Sequence, residues 1–320
     1  MLKAKEQPAD IFVLVPSYNH GPFLERCLNS IFKQTFQPAK LLVIDDGSRD
    51  NSPQLIEKTL KSCPFPAEFI SRPNCGLCAT LNEGFTHSFG EYFAYLSSDD
   101  VWLPCFLENR IRLLESRPNA VLAFGHAYLI DEKDRIIDCT RDWTNYADGS
   151  MLSTLLRGIV PASSSVLYKR PALTKYKWNE NSILEDYELY LKLCQEGDFA
   201  LDSTVLSAWR QHGYNTSNNF HKMMTEWLAA QDRNANQINI DKQRLKKIQT
   251  ELKFKSVTDF IRHEQRREAF HLLIENWRGA PSLMTLGKTI LRFLIPHAAQ
   301  SFYQNQRREK AILRYGKLEI

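Results

Sequence analysis

Three stretches of this chain are apolar without a break: Ile11-Phe12-Val13-Leu14-Val15, Leu41-Leu42-Val43-Ile44 and Phe93-Ala94-Tyr95-Leu96. A strand with one wet face alternates polar and apolar residues. An unbroken run must be covered on both faces, as in a parallel sheet packed between helices. The intervening sequence fits that demand. Pro22 can open a helix, and Phe23, Cys27, Leu28, Ile31 and Phe32 then recur at helical spacing. Asn51-Ser52-Pro53 reads as a helix cap with proline just inside. Phe69-Ile70 is a short strand, and a further helix covers roughly residues 77–87. The order β-α-β-α-β-α-β predicts an α/β fold, a Rossmann-like, mainly parallel sheet sandwiched by helices.

Ligands in such sheets bind outside the carboxyl ends of the strands. Four polar segments fall there: Pro16 to Asn19, Asp45 to Ser48, Arg72-Pro73-Asn74, and Ser97 to Asp100. The last is the sharpest signal. A buried strand runs straight into two carboxylates, Asp99 and Asp100, and burying these is costly unless they bind a cation or accept several hydrogen bonds. Hard oxygen ligands suit Mg2+ or Mn2+, which pair one or two carboxylates with phosphate oxygens. The alternative is a strand-end turn in which one of the pair caps a helix expected to start at Pro104.

Six motifs occur in a fixed order: Val15-Pro16-Ser17-Tyr18-Asn19, Val43-Ile44-Asp45-Asp46-Gly47-Ser48, Arg72-Pro73-Asn74-Cys75-Gly76, Gly90 to Asp100, Leu184-Glu185-Asp186 and Trp209-Arg210-Gln211-His212. Each is weak alone. Together, over roughly residues 9–217, the chain resembles the family 2 inverting glycosyltransferases with the GT-A fold.

That resemblance implies transfer of a sugar from a nucleotide-sugar, with a UDP-sugar as the expected donor, to a hydroxyl acceptor, assisted by Mn2+ or Mg2+. It implies that Asp100 ligates the metal and that Asp99 contacts the ribose or the metal's water shell. Asp46 would accept a hydrogen bond from the imide N–H of uracil, a task suited to an acceptor-only carboxylate. Pro16 and Tyr18 would hold the base from the other side. Arg72, Asn74 and Gly76 would line the nucleotide, with Arg72 on either a phosphate or a surface carboxylate. Asp186 is the candidate general base, taking the proton of the attacking hydroxyl; Glu185 and Asp186 could instead merely favour a helix N-terminus. His212 is a candidate metal ligand, with a structural role as the alternative. His20 lies beside the donor loop without an assigned role.

The rest of the chain is less legible. Residues 131–165 are mixed and loop-rich. Residues 184–194 read as a helix stopped at Gly197. From about residue 220 the pattern is helical and basic, which divides the chain into a catalytic domain over 1–219 and a helical C-terminal extension over 220–320. Residues 241–320 hold 17 Lys and Arg against 8 Asp and Glu, although the whole chain is only +4. Within the extension, residues 282–320 combine apolar and basic positions and suit peripheral contact with an anionic membrane, packing on the catalytic domain, or a homo-oligomer contact. Removing them is expected to leave the catalytic core folded.

Seven cysteines, an odd number in apolar surroundings, argue against a disulfide framework. The N-terminus is polar, and no stretch reaches the roughly 20 apolar residues that span a bilayer. The expected location is therefore cytoplasmic, with the inner face of the cell membrane as the candidate contact. The expected acceptor is a glycan or lipid-linked glycan in bacterial surface polysaccharide synthesis, and no nucleic-acid partner is expected. A nucleotidyltransferase is disfavoured because the first loop lacks a glycine run. A non-catalytic nucleotide-sugar-binding scaffold is disfavoured by the intact Asp99, Asp100 and Asp186.

Overall fold

The computed structural model describes residues 9–213, 215 and 219–319. Tyr214, Thr216 and Ser217, which follow His212 in the last motif, lie outside the described residues, as do residues 1–8.

Four parallel strands form the first half of the sheet: β1 (Ala9–Ser17), β2 (Pro38–Asp45), β3 (Ala67–Ser71) and β4 (Tyr92–Tyr95), in the order β3-β2-β1-β4. The helices between them are α1 (Gly21–Phe32), α2 (Ser52–Leu60) and α3 (Leu77–Thr86). β1 shows why its run has no polar position. Ile11, Val13 and Val15 enter one core with Leu24, Leu28 and Ile31 of α1, while Phe12 and Leu14 enter the opposite core with Leu81 of α3.

The second half is mixed. It contains β5 (Val101–Trp102), β6 (Ala120–Ile130), β7 (Ile136–Cys139), β8 (Leu167–Lys169) and β9 (Asp198–Arg210). β8 pairs antiparallel with β4 and β6, β9 runs parallel to β6, and β5 lies antiparallel against β9. The helices here are α4 (Phe106–Glu115), α5 (Leu152–Leu156), α6 (Arg170–Leu173) and α7 (Glu185–Leu193). Two local expectations change. α4 starts at Phe106 rather than Pro104, because Val101 and Trp102 are spent on pairing with β9. α7 ends at Leu193, and Gly197 serves a close approach instead: a Cβ there would sit 2.4 Å from the Asn119 carbonyl oxygen.

The helical segment comprises α8 (Phe220–Asn234), α9 (Lys242–Arg262), α10 (Arg266–Asn276), α11 (Leu283–Arg292) and α12 (His297–Tyr315). α8 is tied to α7: Gln231 Nε2 donates to the Tyr187 hydroxyl at 2.9 Å, and Arg233 pairs with Glu188 at 2.7 Å. The end of the chain returns to the catalytic domain. Leu318 is buried with Val101, Ile130, Ile136 and Ala208. Its N–H donates to the Asp134 carbonyl at 2.8 Å, and Ile136 N–H donates to the Gly316 carbonyl at 3.0 Å. The end of the 282–320 segment therefore packs on the catalytic domain, one of the three roles open to it from sequence.

Candidate active site

The site gathers at the carboxyl ends of β1, β2 and β4. Asn19, with φ at +54°, turns the β1 loop so that its N–H donates to Ser48 Oγ at 2.8 Å and its Oδ1 accepts from Arg49 N–H at 2.8 Å. The loops after β1 and β2 are thereby fastened together. Tyr18 is left 43% exposed.

Asp45 is fully buried and closes its own turn by accepting from the N–H and hydroxyl of Ser48. Asp46 organises the third motif. Its Oδ1 accepts from Cys75 N–H at 2.8 Å and pairs with Arg72, and its Oδ2 accepts from Gly76 N–H at 2.8 Å. The Asn74 amide donates to the Asp46 carbonyl at 2.8 Å. A carboxylate offers about four lone-pair sites, so Asp46 keeps acceptor capacity on Oδ2. Arg72 is held by Asp46, by Glu83 at 2.5 Å and by Thr80 at 2.8 Å. Of the two partners open to it from sequence, the carboxylates hold it here. Gly76 sits at φ +90°, a conformation that L side chains rarely adopt.

At the tip of β4, Asp99 and Asp100 are almost fully buried and differently engaged. Asp100 Oδ1 accepts from Arg210 N–H at 2.8 Å. Asp99 Oδ2 meets His212 Nε2 at 2.9 Å. Its Oδ1 is buried without a hydrogen-bond partner among the described residues and lies 3.6 Å from His20 Nδ1. His20, Asp99 and His212 place one ligand atom each within 4.8 Å of one another, a geometry that can hold a metal ion. Asp100, expected as the ligand, is not one of these three; its Oδ1 accepts the Arg210 N–H, which leaves the carboxylate further lone pairs. His20, left without a role in the sequence reading, is one of them.

Electrostatics separate the two carboxyls further. Burial alone would raise Asp99, but the His212 hydrogen bond and the charges of His20 and His212 hold it below its ordinary value. Burial, then the neighbouring Asp99 charge, pushes Asp100 well up. Burial also lowers His20, favouring the neutral imidazole that ligates metals.

The last turn of β9 carries Arg210, whose side chain is 1% exposed. Its Nε donates to the Asp99 carbonyl at 2.8 Å, and its other nitrogens reach the Asp131 carbonyl and Asp134, both at 2.7 Å. Its guanidinium lies 4.7 Å from the centre of the Phe23 ring, and that ring stacks on His212. Arg210 therefore fixes the loop that carries Asp99 and Asp100. Nothing in the spacing of Asp131 and Asp134 announces that role.

Asp186 stands in the first turn of α7 beside Glu185. Burial, then the charge of Glu185, pushes Asp186 well above the usual carboxylate range. Burial raises Glu185 too, with the Asp99 charge among the lesser causes. The α7 acids and the β4 acids thus face one region, although about 85 residues separate them in sequence.

Known proteins share this fold and part of this sequence. Among solved structures, a mannosyltransferase from Pyrobaculum calidifontis, solved with GDP-Man and Mn2+, superposes with a TM-score of 0.61 at 16% identity, covering 97% of this chain and 89% of that one. TarS of S. aureus with UDP-GlcNAc superposes at 0.55 and 14% identity, covering 97% and 93%. At these identities the likeness is one of fold, which is GT-A. Among curated sequences, an uncharacterized glycosyltransferase of Nostoc is 30% identical over 169 residues, 52% of each chain. Chondroitin synthase of Escherichia coli is 26% identical over 218 residues, 65% of this chain and 30% of that protein. The chain therefore spans about half or less of these relatives. The model of the family described as glycosyl transferase family 2 matches residues 12–176, just over half of the sequence, and the chain belongs to that family.

Proposed function

We propose that this chain is a metal-dependent, inverting glycosyltransferase that moves a sugar from a UDP-sugar to a hydroxyl on a glycan or lipid-linked glycan, in the assembly of bacterial surface polysaccharide. The observation that carries the metal-dependent reading is the buried Asp99 Oδ1, without a hydrogen-bond partner among the described residues, on a carboxylate clustered with His20 and His212. An orphaned carboxylate oxygen at such a position is costly unless a cation meets it. On this reading Asp99, His20 and His212 hold Mn2+ or Mg2+, and mixed imidazole and carboxylate ligands favour Mn2+. Bound there, the cation would stabilise the charge on the departing diphosphate.

The chain's own residues supply the rest. Asp46 accepts from the uracil imide through its remaining Oδ2 lone pair, and Tyr18, beside Pro16, packs on the base. Asn74 and Gly76 keep that loop in place. Asp186 takes the proton from the acceptor hydroxyl. The acceptor oxygen bonds to the anomeric carbon as the bond from that carbon to the diphosphate oxygen breaks. The nucleoside diphosphate leaves with the electron pair, and attack from the opposite face inverts the centre. The UDP assignment is supported by the TarS likeness; a GDP-sugar is the competing donor, from the mannosyltransferase likeness.

Slow release of free sugar from UDP-sugars without acceptor tests the reading. Hydrolysis that needs Mn2+ or Mg2+ and is lost in Asp186→Asn supports it. No hydrolysis of any UDP- or GDP-sugar moves the chain to the scaffold class.

A further inference from the structure

Outside the catalytic cleft, large exposed apolar side chains concentrate on α10 and α11. On α10 and just beyond it, Phe270, Ile274 and Trp277 recur at i, i+4 and i+7, each about half exposed. On α11 and just beyond it, Leu283, Ile290, Leu291 and Leu294 recur at i, i+7, i+8 and i+11, with Leu283 84% and Leu294 76% exposed. These are outward stripes, because α11 has a separate inward one. Leu286 and Phe293 pack on Val257, Phe260 and Leu273, and Thr289 is buried. The start of α10 adjoins the end of α11. The Phe270 and Phe293 rings meet edge to face at 6.2 Å, and Arg266 donates to the carbonyls of Phe293 and Ile295. Exposed apolar stripes on neighbouring helices mark an interaction site.

Its charge says what covers it. From Asn276 through the end of α11 at Arg292 the sequence has no aspartate or glutamate and carries Arg278, Lys288 and Arg292, and α10 adds Arg266 and Arg267 against Glu268 and Glu275. Arg278 lies 5.3 Å from the centre of the exposed Trp277 ring, a pairing of amphipathic ring and cation that suits a headgroup layer. A second copy using the same face would set these cations against one another. No helix among the described residues is long and apolar enough to cross a membrane, so the face can lie on a bilayer but not span it.

We propose that the outer face of α10 and α11 docks on an anionic lipid bilayer. Its aliphatic and aromatic residues enter the headgroup–acyl boundary, and Arg278, Lys288 and Arg292 meet lipid phosphates. This inference does not rest on the donor or metal assignment.

Co-sedimentation of the full chain with vesicles of phosphatidylcholine, alone or mixed with phosphatidylglycerol, tests it. The mixed vesicles should bind about tenfold more tightly or better, since each basic side chain near an anionic surface adds attraction. The double variant Leu291→Glu with Leu294→Glu, and independently Leu283→Glu, should each lose most of that binding with an unchanged melting temperature. Lys288→Glu with Arg292→Glu should abolish the preference for phosphatidylglycerol. Equal binding to both vesicle types, or wild-type binding by the apolar variants, overturns the proposal. So does a wild-type dimer in light scattering that the Leu291→Glu and Leu294→Glu substitutions split, since a protein copy would then cover the face.

Discussion

His212 Nε2 lies 2.9 Å from one oxygen of Asp99, and the other oxygen of the same carboxylate, buried, faces His20 Nδ1 at 3.6 Å. The two oxygens of Asp99 thus face two imidazoles from opposite ends of the catalytic domain, one from the loop after β1 and one from beyond β9.

His20→Ala should weaken Mn2+ binding, measured by calorimetry with the metal and UDP, by about tenfold or more, since losing even a contact that only supports a ligand costs that much. Asp99→Asn should weaken it further. Unchanged Mn2+ affinity in His20→Ala would leave His20 as a hydrogen-bonding neighbour of Ser98, whose Oγ lies 2.9 Å from Nδ1.

Asp186→Asn should reduce transfer by about 10^2-fold or more while leaving UDP affinity intact, the scale of general-base catalysis. The pH dependence has a defined sign. Burial and the Glu185 charge raise Asp186, and a base works only when deprotonated. The acid limb of kcat/KM should therefore lie above the ordinary carboxylate range, with activity falling as pH drops through the raised value. An acid limb at an ordinary carboxylate pKa would remove Asp186 as the base.

Much of this was legible in the sequence, and the limits are physical. Unbroken runs such as Ile11 to Val15 declare a strand buried on both faces, so the parallel half of the sheet and its loop ends follow. Val121 to Phe124, inside β6, is a further such run, but β5 has two residues and β8 three, too short for any period to register. Asp99 and Asp100 are adjacent, and their different surroundings, His212 on Asp99 and the Arg210 N–H on Asp100, come from residues over 100 positions away. The role of His20 depends equally on a fold that brings it to Asp99, which no local spacing encodes.

Leu318→Ala should destabilise the catalytic domain by roughly 2–4 kcal/mol in urea unfolding, the usual result of truncating a buried leucine. Leu318 packs on Val101 and Ala208, next to the strand ends that carry Asp100 and Arg210. Metal-dependent UDP binding should weaken with it as temperature rises. A change within about 0.5 kcal/mol, the ordinary surface effect, would show the chain end to be a bystander.

Glu188 offers a stability test independent of catalysis. Burial would raise its pKa, but hydrogen bonds from Asn179, Lys192 and Arg233 outweigh it and hold the group at about 2. A carboxylate depressed in the folded state stabilises it above the unfolded value of about 4.3, and that stabilisation is lost as pH falls toward the folded value. Glu188→Gln should cost roughly 1–3 kcal/mol at neutral pH, and the gap from wild type should close between about pH 4.3 and pH 2. A gap independent of pH would assign the effect to packing.

The central claim, a nucleotide site completed by a cation on Asp99, is tested most directly by calorimetric titration of UDP into the protein, with Mn2+ and with EDTA. The account predicts binding of UDP with Mn2+ that EDTA abolishes and that Asp99→Asn cannot recover, while Asp100→Asn retains part of it. UDP binding of equal strength with Mn2+ and with EDTA, or no binding in either, would contradict it.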